Sequence, residues 1–191
     1  QGRLGELAPM LESDAVPRTG DPQRDVLPDA HIAAALAELG RAEAEEHLLS
    51  VIDALPADGG LWSAVFVLSV GAAAAGSRRA AERLMPLLAP WRGLQAYVVH
   101  ATWFGPADGL LADLARVAGH PDRALDLYDA ALVQVGDAEA PTWRARLHLG
   151  RWLALAELGR DDEAEPARRQ AHAEAKRAQL PAVAAATETA S

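Results

Sequence analysis

The sequence has no cysteine. That excludes disulfides, thiolate metal sites and thiol nucleophiles. It has a single lysine, Lys176, against seventeen arginines. No glycine-rich loop precedes that lysine, so a phosphate-cradling loop ending in Lys-Ser/Thr is missing. Aromatic residues make up 5% of the chain and β-branched residues are sparse. The apolar half is mostly alanine, leucine and valine; alanine and leucine are strong helix formers and weak strand formers, so an all-α fold is expected. The longest apolar run, 64–75, is interrupted by Ser69 and Gly71 and falls short of the roughly 20 residues that span a bilayer. Basic charge is also short, and the net charge of −9 repels a phosphate backbone, which argues against direct nucleic-acid binding. Lack of cysteine fits a cytoplasmic protein. Gln1 stands where a methionine would, with no secretory pattern after it, which reads as a fragment or a trimmed chain.

What is present is helical punctuation. Residues 2–11 carry Leu4, Leu7, Met10 and Leu11 at helical spacing, with Pro9 as a kink or boundary. Residues 13–28 hold three prolines and no periodicity, so 1–28 reads as a helix followed by a loop. From Asp29 to Leu180 helix follows helix. Segments 30–39, 42–55, 61–75, 77–89, 94–103, 107–118, 122–135, 142–158 and 163–180 are separated by glycine or proline. Ser77 is placed to cap its helix, and Pro86 to kink or end it. Asp161 or Asp162 caps the last helix, or the helix starts at Pro166. Three junctions use glycine to close one helix and proline to open the next: Gly105-Pro106, Gly119 to Pro121, and Gly136 to Pro141. The tail 181–191 is rich in alanine and threonine and is expected to fray.

The chain repeats itself. Ala-Leu-Ala-Glu-Leu-Gly-Arg occurs at 35–41 and again at 154–160. A looser joint recurs as a glycine followed by an alanine, at Gly76 and Ala81, Gly119 and Ala124, and Gly159 and Ala164, with Gly40 and Ala44 one residue shorter. The glycines at 40, 76, 119 and 159 lie 36, 43 and 40 residues apart, a period typical of stacked helical hairpins. The unit 107–136 resembles the tetratricopeptide pattern in Leu111-Ala112, Gly119, Ala124, Tyr128 and Ala131. Small residues there let two antiparallel helices approach, while Leu111 and Tyr128 fill space to the next helix. Other units lose the aromatic: Arg168 stands where Tyr128 would. The expectation is a tetratricopeptide-like α-solenoid over 29–180, since a helix pair cannot bury its apolar side alone. A non-repeat helical bundle is the alternative.

The stretches Ala89-Pro90-Trp91-Arg92-Gly93, Phe104-Gly105-Pro106-Ala107-Asp108, the 119–132 unit, Ala140-Pro141-Thr142-Trp143-Arg144-Ala145-Arg146 and Gly159-Arg160 carry a resemblance. They look like the C-terminal helical region of large bacterial signalling ATPases, including LuxR-type transcriptional regulators and ATPases fused to nucleotide cyclases, common in actinobacteria. The resemblance covers about residues 1–180. It implies a regulatory or scaffolding arm, with the chemistry and any DNA-binding helix-turn-helix elsewhere.

Catalytic patterns are missing. The six histidines, His31, His47, His100, His120, His148 and His172, include no pair four apart on one helix, so no one-face zinc geometry is expected. Packing or solvation is their ordinary role. The acidic clusters Glu43-Glu45-Glu46 and Asp161-Asp162-Glu163-Glu165 fall at helix starts, where carboxylates complement the dipole. Asp122, Asp126 and Asp129 share a solvated face. No Gly-x-Ser-x-Gly elbow occurs. Neither enzyme activity nor a cofactor or metal is expected. Five tryptophans, at 62, 91, 103, 143 and 152, are core fillers first and binding anchors second. In a hairpin stack the first helix of each pair lines the concave face. That puts Phe66, Val70, Asp113, Arg116 and Arg146 there, a groove with an apolar end and an arginine-bearing end, suited to a protein or peptide partner with acidic residues. Two alternatives are a small-molecule pocket lined by Trp62, Phe66, Trp103 and Phe104, and self-association through an exposed helix 61–75.

Overall fold

The computed structural model describes residues 19–56, 62–98, 102–136 and 140–188. The expected helix at 2–11 lies outside them. Among the described residues the chain is mostly helical. Nine helices occur: α1 Pro22–Glu38, α2 Ala44–Asp53, α3 Trp62–Ala75, α4 Arg78–Leu88, α5 Ala107–Val117, α6 Pro121–Val135, α7 Pro141–Glu157, α8 Asp161–Arg177 and α9 Pro181–Glu188. A 3-10 turn, Ala89–Trp91, and two strands, β1 Gln95–Val98 and β2 Thr102–Pro106, separate α4 from α5.

The sequence repeat is written in the backbone. In both copies of the heptapeptide the arginine amide donates to the carbonyl five residues back: Arg41 to Leu36 and Arg160 to Leu155, each at 3.0 Å. The preceding glycine sits at positive φ, +65° at Gly40 and +68° at Gly159. This cap satisfies carbonyls that a helix end leaves open. Ser77 and His120 make the same bond after Gly76 and Gly119. Thus α1, α3, α5 and α7 all stop by one device. Leu180 repeats it after Gln179, the one non-glycine at positive φ among the described residues.

Each helix packs on the next, and each odd-numbered helix packs on the following odd-numbered one. The odd helices therefore lie side by side, with the even helices outside them. Close approach needs small residues. A Cβ on Gly71 of α3 would sit 2.8 Å from the Ala34 Cα of α1, and one on Gly109 of α5 would sit 2.8 Å from Leu147 of α7. Gly150 of α7 lies directly under the ring of Tyr128 from α6. The joint alanines Ala81, Ala124 and Ala164 are all buried.

Helix α3 forms the centre of the core. Ser63 through Ser69, Gly71 and Ala72 are all buried, against α1, α2, α4 and α5. Ser69 fits because its hydroxyl donates to the Val65 carbonyl at 2.7 Å. The helix is apolar on most of its circumference because other elements cover most of it. It is therefore not the exposed face on which self-association was expected to rest.

Other expectations need correcting. Within the segment 94–103, expected helical, β1 pairs antiparallel with β2, with Tyr97 opposite Trp103 and a register irregularity between Gln95 and Tyr97. Tyr97, Val98, Thr102 and Trp103 are strand formers, and their local preference prevails. The rings of Tyr97 and Trp103 stack at 6.4 Å, and Trp103 Nε1 donates to Gln95 Oε1 at 2.9 Å. Helix α1 begins at Pro22, inside the expected 13–28 loop, because the Asp25 carboxylate accepts from the amides of Thr19 and Gly20 at 2.9 and 3.0 Å. Pro86 and Pro166 lie inside helices. The carbonyls they leave open belong to Glu82 and Asp162, both exposed to water. Helix α8 accordingly starts at Asp161, with no side-chain cap. Residues 181–188 of the tail expected to fray form helix α9. Its Thr187 is wholly buried, receives Arg168 on its carbonyl at 2.7 Å, and meets His172 through its hydroxyl at 2.9 Å.

The turn between α4 and the hairpin is fastened to the start of α5 by one carboxylate. Asp108, 2% exposed, accepts from Arg92 Nε at 3.0 Å, the Gly93 amide at 2.7 Å and the Gln134 side chain. Burial pushes the carboxyl up. The bonds from Gly93, Gln134 and Arg92 outweigh that and hold it below its ordinary value.

Gly150→Ala is expected to destabilise the chain by about 1–3 kcal/mol in urea unfolding, because the added methyl overlaps the Tyr128 ring. An unchanged midpoint would contradict the tight α6–α7 contact.

Candidate functional site

The side-by-side odd helices leave a groove of about 290 Å³. Its walls come from α1, α3, α5, α7, α9 and β2; no residue of an even-numbered helix lines it. Helix α5 contributes Gly109, Leu110, Asp113 and Arg116, and α7 contributes Trp143, Arg146, Gly150 and Leu153. Spacings of three and four place each set on one helix face. Val70, Ala73 and Ala74 of α3 and Phe104 of β2 supply apolar surface, and Glu38 and Val183 come from α1 and α9.

Four of the five residues expected on the concave face line this groove: Val70, Asp113, Arg116 and Arg146. Phe66 does not. It is 1% exposed and lies in an aromatic cluster with Trp62 at 5.5 Å and Trp91 at 5.6 Å. It sits one helical turn before Val70, where the 3-10 turn covers α3. The alternative pocket is likewise divided. Trp62 and Phe66 belong to that cluster, Trp103 packs on Trp143 at 5.6 Å, and Phe104 alone of the four reaches the groove.

Trp143, Phe104, Leu153, Glu38 and Val183 were not anticipated in the groove. Trp143 was legible, since it stands three residues before Arg146 on a helix opened by Pro141. Phe104 and Val183 were hidden by reading the hairpin as helix and the tail as frayed. Trp143 also explains Gly105, whose φ is +81° and whose Cβ would come within 2.6 Å of the indole.

The groove is lined by two cations, Arg116 and Arg146, and two acids, Asp113 and Glu38. Arg116 donates from NH1 to Glu157 Oε1 at 2.7 Å, while its buried Nε has no partner. Burial disfavours its charge, but the bond to Glu157 and the nearby anions raise its pKa overall, so it stays charged. Asp113 is pushed up by burial. The hydrogen bond from Tyr128 and the charges of Arg116 and Arg146 only partly oppose this. The Tyr128 hydroxyl donates to Asp113 Oδ1 at 2.6 Å, and burial with the adjacent carboxylate raises the phenol well above its usual range. Arg146 makes no ion pair or hydrogen bond among the described residues. It lies 5.5 Å over the Trp143 ring, which holds a cation without neutralising it.

No group of three or more His, Asp or Glu side chains among the described residues could hold a metal ion. No helix there is long and apolar enough to cross a membrane. Known protein families, curated proteins and solved structures include no match to this chain.

Away from the groove, His148 is buried with its Nδ1 unpartnered. Burial first, then the charges of Arg144 and Arg151, pull its pKa down to about 4 against the opposing Glu174 and Asp129. The unfolded chain takes up a proton near pH 6.5 and the folded chain does not until about pH 4. Stability is therefore expected to fall as pH drops through that window, by about 3 kcal/mol at most. His148→Leu should flatten this part of the profile in urea unfolding at pH 7 and pH 4.5. An unaltered profile would show that His148 titrates alike in both states.

Proposed function

We propose that the chain is a tetratricopeptide-like solenoid serving as a non-catalytic interaction and regulatory module. In this reading it is the helical arm of a bacterial signalling ATPase or transcriptional regulator, and its concave groove captures a peptide segment of a protein partner. The observation that carries the reading is the groove's lining. It draws on every odd-numbered helix and on no even one, which is how a hairpin stack presents a continuous concave surface. Apolar walls from Val70, Ala73, Leu110 and Leu153 suit a partner's apolar side chains, and Arg146 suits an acidic one.

A second reading, a small-molecule sensor, draws on Trp143 and Phe104 facing a space of about 290 Å³, near the lower size of ligand pockets.

Selection from a displayed library of random 12-residue peptides separates the two. Peptides combining apolar residues with an acid should be recovered by the native chain and lost with Arg146→Glu. Recovery of none, or equal recovery by the variant, would contradict peptide capture in this groove.

A further inference from the structure

We infer that Asp113 is the selectivity residue of the groove: a fixed negative charge beside Arg146 that a partner's Asp or Glu carboxylate overcomes only by hydrogen-bonding to that guanidinium. The inference rests on the peptide-binding reading above.

Two arginines line the groove, and they are not equivalent. Arg116 is committed to Glu157 at 2.7 Å, and its side chain is 22% exposed. Glu157 already offsets its charge, so an incoming anion gains less from it than from Arg146. Arg146 has no such partner among the described residues. It rests against Trp143, which fixes its place and leaves its charge in force.

Asp113 completes the arrangement. It lines the groove with Arg146, and the charge of Arg146 acts on it, though the two form no salt bridge. Tyr128, wholly buried, grips Asp113 Oδ1 at 2.6 Å, so the carboxylate cannot swing away into water. An approaching anion meets attraction from Arg146 and repulsion from Asp113. A weakly placed anion gains nothing on balance. A carboxylate on a docked segment that reaches the guanidinium and hydrogen-bonds to it gains a short-range, charge-assisted bond. Asp113 thus suppresses stray anions and rewards one geometry, which is specificity built from a repulsive element beside an attractive one. Packed apolar residues alone would not discriminate in this way.

A matched pair of fluorescent probes tests this: 1-anilinonaphthalene-8-sulfonate, which is anionic, and N-phenyl-1-naphthylamine, which is not. Arg146→Gln should weaken the anionic probe by roughly tenfold, as expected for loss of a charged hydrogen bond, and leave the neutral probe unchanged. Asp113→Asn keeps an acceptor for Tyr128 and should tighten the anionic probe by about three- to tenfold. Equal loss of both probes in Arg146→Gln, or no gain in Asp113→Asn, would overturn the inference. The Arg146→Gln comparison can do so alone, because Arg146 is half-buried and its replacement spares the Tyr128–Asp113 bond. Selected peptides that lack an acid would overturn this inference while peptide capture stood. The expected probe pattern with no recovered peptide would overturn peptide capture instead.

Discussion

Tyr128 is the residue on which the rest of the arrangement turns. It projects from the outer helix α6 and brings its phenol end against α7 at Gly150. Its hydroxyl reaches Asp113 on α5. One side chain therefore joins three helices and reaches the groove through Asp113, which lines it. The ring needs a glycine beneath it, and the hydroxyl needs an acceptor, since a buried phenol without one is costly. Asp113 in turn needs donors or positive charge, and Arg116 and Arg146 stand beside it. The packing of these helices and the charge of the groove are thus one network rather than two features.

That network sits within a repeated geometry set by helix ends. The four glycines at 40, 76, 119 and 159 stop the four long inner helices by the same backbone bond. Stopping alternate helices alike returns the chain to the same side each time. Asp108 does a related task between α4 and α5, where the repeat is interrupted by the hairpin. By collecting Arg92, Gly93 and Gln134 on one carboxylate, it fixes how β2 enters α5, and so where Phe104 and Pro106 meet the groove.

Much of this was legible in the sequence because the signals were local. Glycine after a periodic run and proline before one place helix ends through backbone conformation alone, so the helix ends at Gly40, Gly119 and Gly159 and the starts at Pro121 and Pro141 emerged close to expectation. Counting from those anchors also brought Val70, Asp113, Arg116 and Arg146 to a common surface. What was not legible depended on partners distant in sequence. Thr187 makes α9 a helix by bonding to Arg168 and His172, fifteen and more residues earlier. Phe66 is taken from the groove by Trp91, twenty-five residues later. The hairpin was missed where strand-forming side chains stood inside an otherwise helical context. Arg168, standing where the Tyr128 pattern would place an aromatic, binds Glu165 and the Thr187 carbonyl instead. Degeneracy in the repeat therefore reflects a different neighbour, the short α9.

The central claim is that the surface shared by the odd-numbered helices is where this protein meets its ligand. Backbone amide chemical shifts, followed by NMR during titration with the anionic naphthalene probe, test it most directly. The account predicts shifts clustered at Val70, Leu110, Asp113, Arg146 and Leu153. Residues on the outer helices, such as Glu46, Asp126 and Gln170, should stay in place. Shifts gathered on the outer helices with the inner face silent would contradict it.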